Sequence, residues 1–345
     1  MADVPRGIEL DGLQRFFAAS VPGGDVTLEV RLLSGGRSNL TYLVTGGGRE
    51  WVLRRPPLGH LLPTAHDMSR EFRVLSGMAK TNVPAPRPYA LCEDPAVIGA
   101  SFYVMDYRAG AIVSEEWPAG IAETAEDQRA LSLSMVDVLA RIHAVDPAAV
   151  GLADFGRPEG YVARQLKRWG EQWERSKTRD LPTVYELHRR LTAAIPESPG
   201  SAIVHGDYRL GNIVIKADHS VEAILDWEMA TLGDPLTDLG WLLLYWDSPE
   251  DMLAASFRDR PGGLTRAEVV AEYGRRSRRV VENAEFYLAF ALFKNAVIIE
   301  GIFARYLRGE TVGEGFDRYN GADILIGRGL AVCDASIDRR LRGEA

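Results

Sequence analysis

The octapeptide HGDYRLGN, His205 to Asn212, lies between two short apolar β-like pieces, and Asp226 follows fourteen residues after Asn212, in ILDWE at the end of the next such piece. No other feature constrains the chain as much. It requires a strand-loop-strand frame that carries a carboxylate five residues before an Asn on a tight loop, with a second carboxylate closing the following strand. Asp, Asn and Gly also build ordinary turns, so the octapeptide alone reads equally well as a plain connection. With Asp226 added, the set suits phosphoryl transfer from a nucleoside triphosphate, where one group accepts the hydroxyl proton and others hold Mg²⁺. Asp207 is placed for the first task, and Asn212 and Asp226 for the second.

At 345 residues the chain is long enough for two lobes, each with its own core. Its net charge of -8 argues against a duplex nucleic-acid binder, whose affinity rests on Lys and Arg neutralising phosphates. Cys92 and Cys333 are its two cysteines, far apart and without zinc-ligand spacing, so both are expected as buried small hydrophobes. The amino terminus lacks a basic segment followed by an apolar core, and no uncharged apolar stretch reaches spanning length; LGWLLLYW falls well short. A cytoplasmic protein with no membrane partner is expected, acting as a monomer or a homodimer.

The first hundred residues read as strands and turns. Two apolar runs flank Gly46 to Gly48, which predicts a β-hairpin. HDMSREFRVLSGMAK then places Met68, Phe72, Leu75 and Met78 at helical spacing with Asp67 as cap. Prolines 84, 86 and 88 forbid helix in the next segment, and SFYVMDY favours a strand. From about Asp127 the period turns helical and stays so, apart from the β pieces around the octapeptide and ILDWE. The expected fold is therefore α+β and bilobal: a small β-rich N-lobe with one main helix over 1–108, and a larger, mainly helical C-lobe over 109–345.

In a kinase-type arrangement the hairpin's second strand carries a cation against the ATP phosphates. Here WVLR supplies Arg54, with Arg55 as its competitor, and Glu71 on the following helix is placed to pair with it. An Arg in the place of the usual Lys clamps phosphate oxygens bidentately. Ser34, Gly35, Gly36, Arg37, Ser38 and Asn39 form a glycine-containing turn whose backbone N–H groups could cover phosphates; glycine-rich hairpin turns without any ligand are also common. The passage from Met105 through Asp106 and Tyr107 to Arg108 is where adenine would meet main chain, or else an ordinary exit turn.

With these elements in this order, the chain resembles the aminoglycoside phosphotransferase and choline kinase-like superfamily across roughly residues 25 to 300. HGDYRLGN matches its HGDxxxxN loop, and ILDWEMATLGDPLTDLGW matches its DWE…GDPxxDL continuation. The resemblance implies a protein-kinase-like fold, ATP and Mg²⁺ as cofactors, Asp207 as base, and Asn212 and Asp226 as metal ligands. His205, Glu228 and Asp238 are expected to support them, Asp238 by bracing the catalytic loop. VLRRPPLGHLLPTAHDMSREFRVL and YVARQLKRWGEQW resemble the subgroup of kinase-like domains fused to acyl-CoA dehydrogenases, which implies a hydroxyacyl-CoA or hydroxy-acid acceptor, with an aminoglycoside as the superfamily's other offer.

Two features stand outside this scheme. RRSRR, Arg275 to Arg279, could receive an anionic group, although a basic run on a helix is more often a solvated face. Tyr161, Trp169 and Trp173 read as packing aromatics before they read as a substrate platform. A rival from another class is a nucleotide-binding regulatory module of the same fold without catalysis. Protein kinase activity is disfavoured, because nothing after ILDWE resembles an activation segment ending in APE.

Overall fold

In the computed structural model, residues 5–34, 39–58, 67–247, 254–258, 260–310 and 315–344 are described. The predicted hairpin is formed by β2 (Leu40–Gly46) and β3 (Arg49–Arg55). Its two-residue tip holds Gly47 at φ 57° and Gly48 at φ 73°, the doubly positive turn that follows the twist of the strands. With β1 (Glu29–Ser34), β4 (Pro88–Cys92) and β5 (Phe102–Asp106) it makes a five-stranded antiparallel sheet in the order β1-β2-β3-β5-β4.

Alternation along β3 and β5 divides two apolar clusters between the faces of this sheet. Trp51, Leu53, Phe102 and Val104 point to one side, where Leu13 and Phe17 of α1 (Leu10–Ser20) cover them. Val52, Tyr103 and Met105 point to the other, against Val74 and Leu75 of α2 (Met68–Met78) and the main core. Beside the one main helix expected there, α2, the sheet carries a second helix, α1, on its opposite face. At eleven residues it is too short to be stable alone, and it holds through the burial of Leu13 and Phe17 on the sheet.

After the sheet come β6 (Ala111–Ile112), α3 (Ala125–Ala144), α4 (Tyr161–Ser176) and α5 (Pro182–Ala193). Four short strands then frame the central loops: β7 (Ala202–Val204), β8 (Ile213–Ile215), β9 (Val221–Ile224) and β10 (Thr231–Gly233). β10 pairs with β7, and β8 lies between β6 and β9. The chain closes with α6 (Leu236–Trp246), α7 (Arg266–Ser277), α8 (Ala284–Leu307) and α9 (Ala322–Ala335). The architecture is the α+β arrangement that the sequence suggested, an antiparallel sheet followed by a mainly helical part.

α8 is long and apolar enough to cross a membrane by length and composition alone. Its first half is buried against α6, α9 and α4, as expected of a helix in a globular core, and its second half is partly exposed. Its approach to α6 depends on Gly240, where a Cβ would lie 2.3 Å from the Tyr287 carbonyl oxygen. Gly240→Ala is expected to lose about 1–3 kcal/mol by overpacking, read as a lower urea midpoint at unchanged slope. An unchanged midpoint would show that the two helices separate freely.

Candidate active site

The loop between β7 and β8 is shaped from beneath by a buried carboxylate. Asp238, in the first turn of α6 and 1% exposed, accepts hydrogen bonds from His205 N at 2.6 Å, Gly206 N at 2.8 Å and His143 Nε2 at 3.1 Å. Burial alone would raise its pKa, but the His143 hydrogen bond leads the interactions that hold it below the ordinary carboxylate value. Gly206 has φ 87°, and a Cβ there would meet Met229 at 2.8 Å, so the loop needs glycine at this point.

The His205 ring continues the bracing. Its Nδ1 accepts from Asp207 N at 3.2 Å and its Nε2 donates to Leu225 O at 3.0 Å, a pattern that only the neutral Nε2–H tautomer satisfies. The ring stands edge-on to Trp227 at 4.8 Å. One imidazole thereby connects the backbone of Asp207 to that of the residue before Asp226.

Asp207 projects toward the helical part of the chain. Oδ2 accepts from Asn212 Nδ2 at 2.7 Å, while Oδ1 accepts from Trp241 Nε1 at 2.8 Å and Arg209 Nε at 3.2 Å. Asn212 thus spends its amide N–H₂ on Asp207 and leaves its carbonyl oxygen for the neighbouring cleft. Asp226, at φ 62° and ψ 66°, uses the left-handed turn after β9 to bring its carboxylate into the same cleft.

That cleft encloses about 440 Å³ between the inner sheet face and the β8–β9 layer, and Arg54, Glu71, Met105, Tyr107, Asn212 and Asp226 are among its lining residues. Parity explains the choice between the two arginines. Arg54 shares the inner face with Val52, whereas Arg55 turns outward to the carbonyls of Gly7, Ile98 and Pro56. Arg54 Nε lies 3.2 Å from Glu71 Oε2 as a charge contact without hydrogen-bond alignment, and Nη2 lies 2.5 Å from Asp226 Oδ1 and 3.6 Å from Glu228 Oε2. Burial opposes the Arg54 charge, yet Glu71 and the other acids hold its pKa above the ordinary value. Burial pushes Glu71 up to about 7 despite Arg54. Arg70 fixes the helix that carries Glu71, donating to Phe155 O at 2.7 Å and Ala230 O at 3.0 Å.

One carboxylate, one amide oxygen and a buried guanidinium around a solvent-connected cleft form a set that fits a magnesium nucleotide. Asp226 and Asn212 are the residues able to hold the ion, with room for waters and phosphate oxygens. Arg54 is the residue able to meet phosphate.

The remaining sequence candidates fall in different places. Gly35, Gly36, Arg37 and Ser38 lie outside the described residues, and Ser34 ends β1. Asn39, next to them, donates to Glu228 Oε2 at 3.0 Å, which ties the start of β2 to the DWE segment. Asp106 and Tyr107 line the cleft, but the Asp106 carboxylate is engaged by Arg87 N at 2.6 Å and Arg108 at 2.8 Å. Its main chain, rather than its side chain, is what a base could meet. Arg275 and Arg276 pair with Glu272, and Arg279 donates to the carbonyls of Pro199 and His143. Trp173 is core at 1% exposure, as expected; Trp169 is also buried but borders Lys294.

Sequence reasoning missed the far side of Asp207. A pocket of about 300 Å³ opens there, with Asp207, Arg209, Trp241 and Lys294 at one end and Ile298, Ile299, Ile302, Ile324 and Leu325 along its wall. Lys294 Nζ donates to Gly206 O at 3.0 Å and lies 4.2 Å from the Trp241 ring centre. Burial lowers its pKa, partly offset by Asp207 and Asp238. A lysine interrupting the apolar run AFALFKNAVII was the signal available for it.

A family model described as the phosphotransferase enzyme family matches residues 29–279. Acyl-CoA dehydrogenase family member 10 of Mus musculus is 35% identical over 290 residues, covering 82% of this chain. The chain spans only 27% of that relative's length. A chain from Ralstonia eutropha JMP134, solved as a candidate aminoglycoside phosphotransferase, superposes with a TM-score of 0.83 at 32% identity, over 94% of this chain and 98% of that one. Aminoglycoside phosphotransferase APH(4)-Ia, solved with AMP-PNP and hygromycin B, superposes with a TM-score of 0.61 at 16% identity, over 94% and 100% of the two chains, a likeness of fold alone. The match across residues 29–279 takes in the sheet, the Asp207 loop and the Asp226 turn together, and the chain belongs to the phosphotransferase enzyme family.

Proposed function

We propose that this phosphotransferase moves the γ-phosphoryl group of ATP to a hydroxyl of a small molecule, and that the acceptor is a hydroxyacyl thioester or hydroxy acid rather than an aminoglycoside. The observation that carries this reading is the 2.7 Å hydrogen bond from Asn212 to Asp207, because it joins the two compartments at one point. Asp207 faces the isoleucine-walled pocket, Asn212 faces the Arg54–Asp226 cleft, and a group transferred between the two passes this bond. The AMP-PNP in the APH(4)-Ia structure makes ATP the donor to test first.

Each residue then has a task. Asp207, held on both oxygens by Asn212, Trp241 and Arg209, keeps a lone pair for the acceptor hydroxyl, orients it and takes its proton as the oxygen bonds to phosphorus and the bond to the bridging oxygen of ADP breaks. Arg54 offers a guanidinium to the phosphate oxygens, and Glu71 fixes where it stands. Asp226 and Asn212 would hold Mg²⁺, which when bound neutralises charge on the phosphates.

The choice of acceptor follows from the wall and the charges. Five branched aliphatic side chains suit a hydrocarbon segment, and Lys294, Arg209 and Arg318 make the charged lining cationic apart from Asp207, among the described residues. A polycationic aminoglycoside would be repelled by such a lining. Purified protein with Mg-ATP should release ADP with hydroxyacyl-CoAs or hydroxy acids and not with aminoglycosides or choline. Turnover on aminoglycosides alone would overturn the acceptor assignment. Nucleotide binding with no turnover on any acceptor would favour a regulatory module, a reading that draws on the Arg54–Asp226 contact across the cleft.

A further inference from the structure

Beside the isoleucine-walled pocket lies a second cavity, of about 530 Å³, and the two share Gly206, Met229 and Lys294. Its wall is made by α4 and the loop before it. In α4 the apolar positions Val162, Leu166, Trp169 and Trp173 are buried, which leaves Arg164 and Arg168, four residues apart, on a neighbouring face that lines the cavity with Arg157.

The electrostatics of this cavity differ from those of much of the surface. Many arginines of this acidic chain are neutralised by carboxylates, as with Arg190 and Glu186, Arg276 and Asp137, or Arg73 and Asp154. Here the hydrogen bonds of the cations go to neutral oxygens: Arg164 donates to the carbonyls of Glu159 and Arg157, Arg70 to those of Phe155 and Ala230, and Lys294 to that of Gly206. The two carboxylates in the lining are already engaged, Asp67 as the cap of α2 and Glu228 by Asn39. A concave site with five cationic side chains and no carboxylate paired to them among the described residues attracts anions, and guanidinium groups favour phosphate oxygens because they meet them two at a time.

We propose that the cavity lined by Arg157, Arg164 and Arg168 binds a phosphate-bearing end of the acceptor, while the acceptor's apolar end occupies the isoleucine-walled pocket and its hydroxyl passes Asp207 at the junction marked by Lys294. This rests on the phosphotransfer reading for the role of the hydroxyl, but the binding site itself does not. The acceptor is thereby an amphiphile, entered from the cationic side, with its reacting hydroxyl between the two ends.

The test uses Arg157→Glu/Arg168→Glu, which reverses two charges whose side chains brace no backbone among the described residues, and butyryl-CoA as a probe that carries phosphates but no hydroxyl on its acyl chain. Calorimetry is run with AMP-PNP saturating the nucleotide cleft. Butyryl-CoA should bind the wild type at least tenfold more tightly than the double variant, free butyrate should bind both equally weakly, and AMP-PNP affinity should be the same in both proteins. Equal butyryl-CoA affinity in the two proteins, or butyrate binding that falls in parallel, would overturn the proposal. Charge-dependent butyryl-CoA binding with no turnover of any hydroxyacyl-CoA would leave this site standing and remove the phosphotransfer reading instead.

Discussion

Asp207→Asn is expected to lower kcat by about 10²–10⁴-fold, the usual worth of a positioned general base, while changing ATP affinity less than about threefold. The separation follows from where the side chain points. Asp207 borders the acceptor pocket and is absent from the lining of the nucleotide cleft; its loss takes one hydrogen bond from Asn212, while the bond from Asn212 Nδ2 to the Asp207 carbonyl oxygen at 2.9 Å keeps that amide in place. An amide is also a poor replacement in its surroundings. Trp241, Arg209 and Asn212 all donate to the carboxylate from two sides, and an amide NH₂ would face a donor on one of them. Asp207→Ala serves as the companion variant, since it carries no opposing donor and should fall by a similar factor. Steady-state ADP release gives kcat, and calorimetry with AMP-PNP gives the nucleotide affinity. Near-wild-type turnover in both variants would remove Asp207 from the chemistry.

The parts of this site that were legible in the sequence are those set by local backbone chemistry. HGDYRLGN and ILDWE are short loops whose Gly, Asp and Asn residues fix tight turns, so their spacing carries over directly into a hydrogen-bonded cluster. Period-two alternation likewise separates Arg54 from Arg55, since adjacent strand residues face opposite sides of the sheet. Lys294, Trp241 and the α4 arginines were not legible, because they come from helices remote in sequence and converge only through packing. Within their own segments, a Trp at an apolar position or an Arg on a polar face satisfies the ordinary amphipathic pattern. RRSRR drew attention as a basic run, but Glu272 lies three and four residues before Arg275 and Arg276, and that spacing predicts the neutralising pairs the structure contains.

Asp238→Ala is expected to cost about 3–5 kcal/mol of stability, with loss of turnover even where the protein stays folded. The substitution leaves two buried backbone N–H groups and one face of the His143 imidazole without an acceptor, and each orphaned donor costs about 1–3 kcal/mol. It also frees the backbone of His205, whose ring positions both Asp207 and the approach to Asp226. Activity and stability should therefore fall together, with a larger loss of stability than in the Asp207 variants, whose carboxylate is partly exposed. The pH dependence supplies an independent check. The Asp238 carboxyl is depressed in the folded chain from an unfolded value near 3.8, so its contribution is whole above about pH 5 and is lost as pH falls through the folded value. Urea midpoints measured across that range should show the gap between wild type and Asp238→Ala constant near neutrality and narrowing in acid. A gap that stayed constant down to the lowest pH at which the wild type folds would mean that the charge of Asp238 does not brace the loop and that its shape alone does.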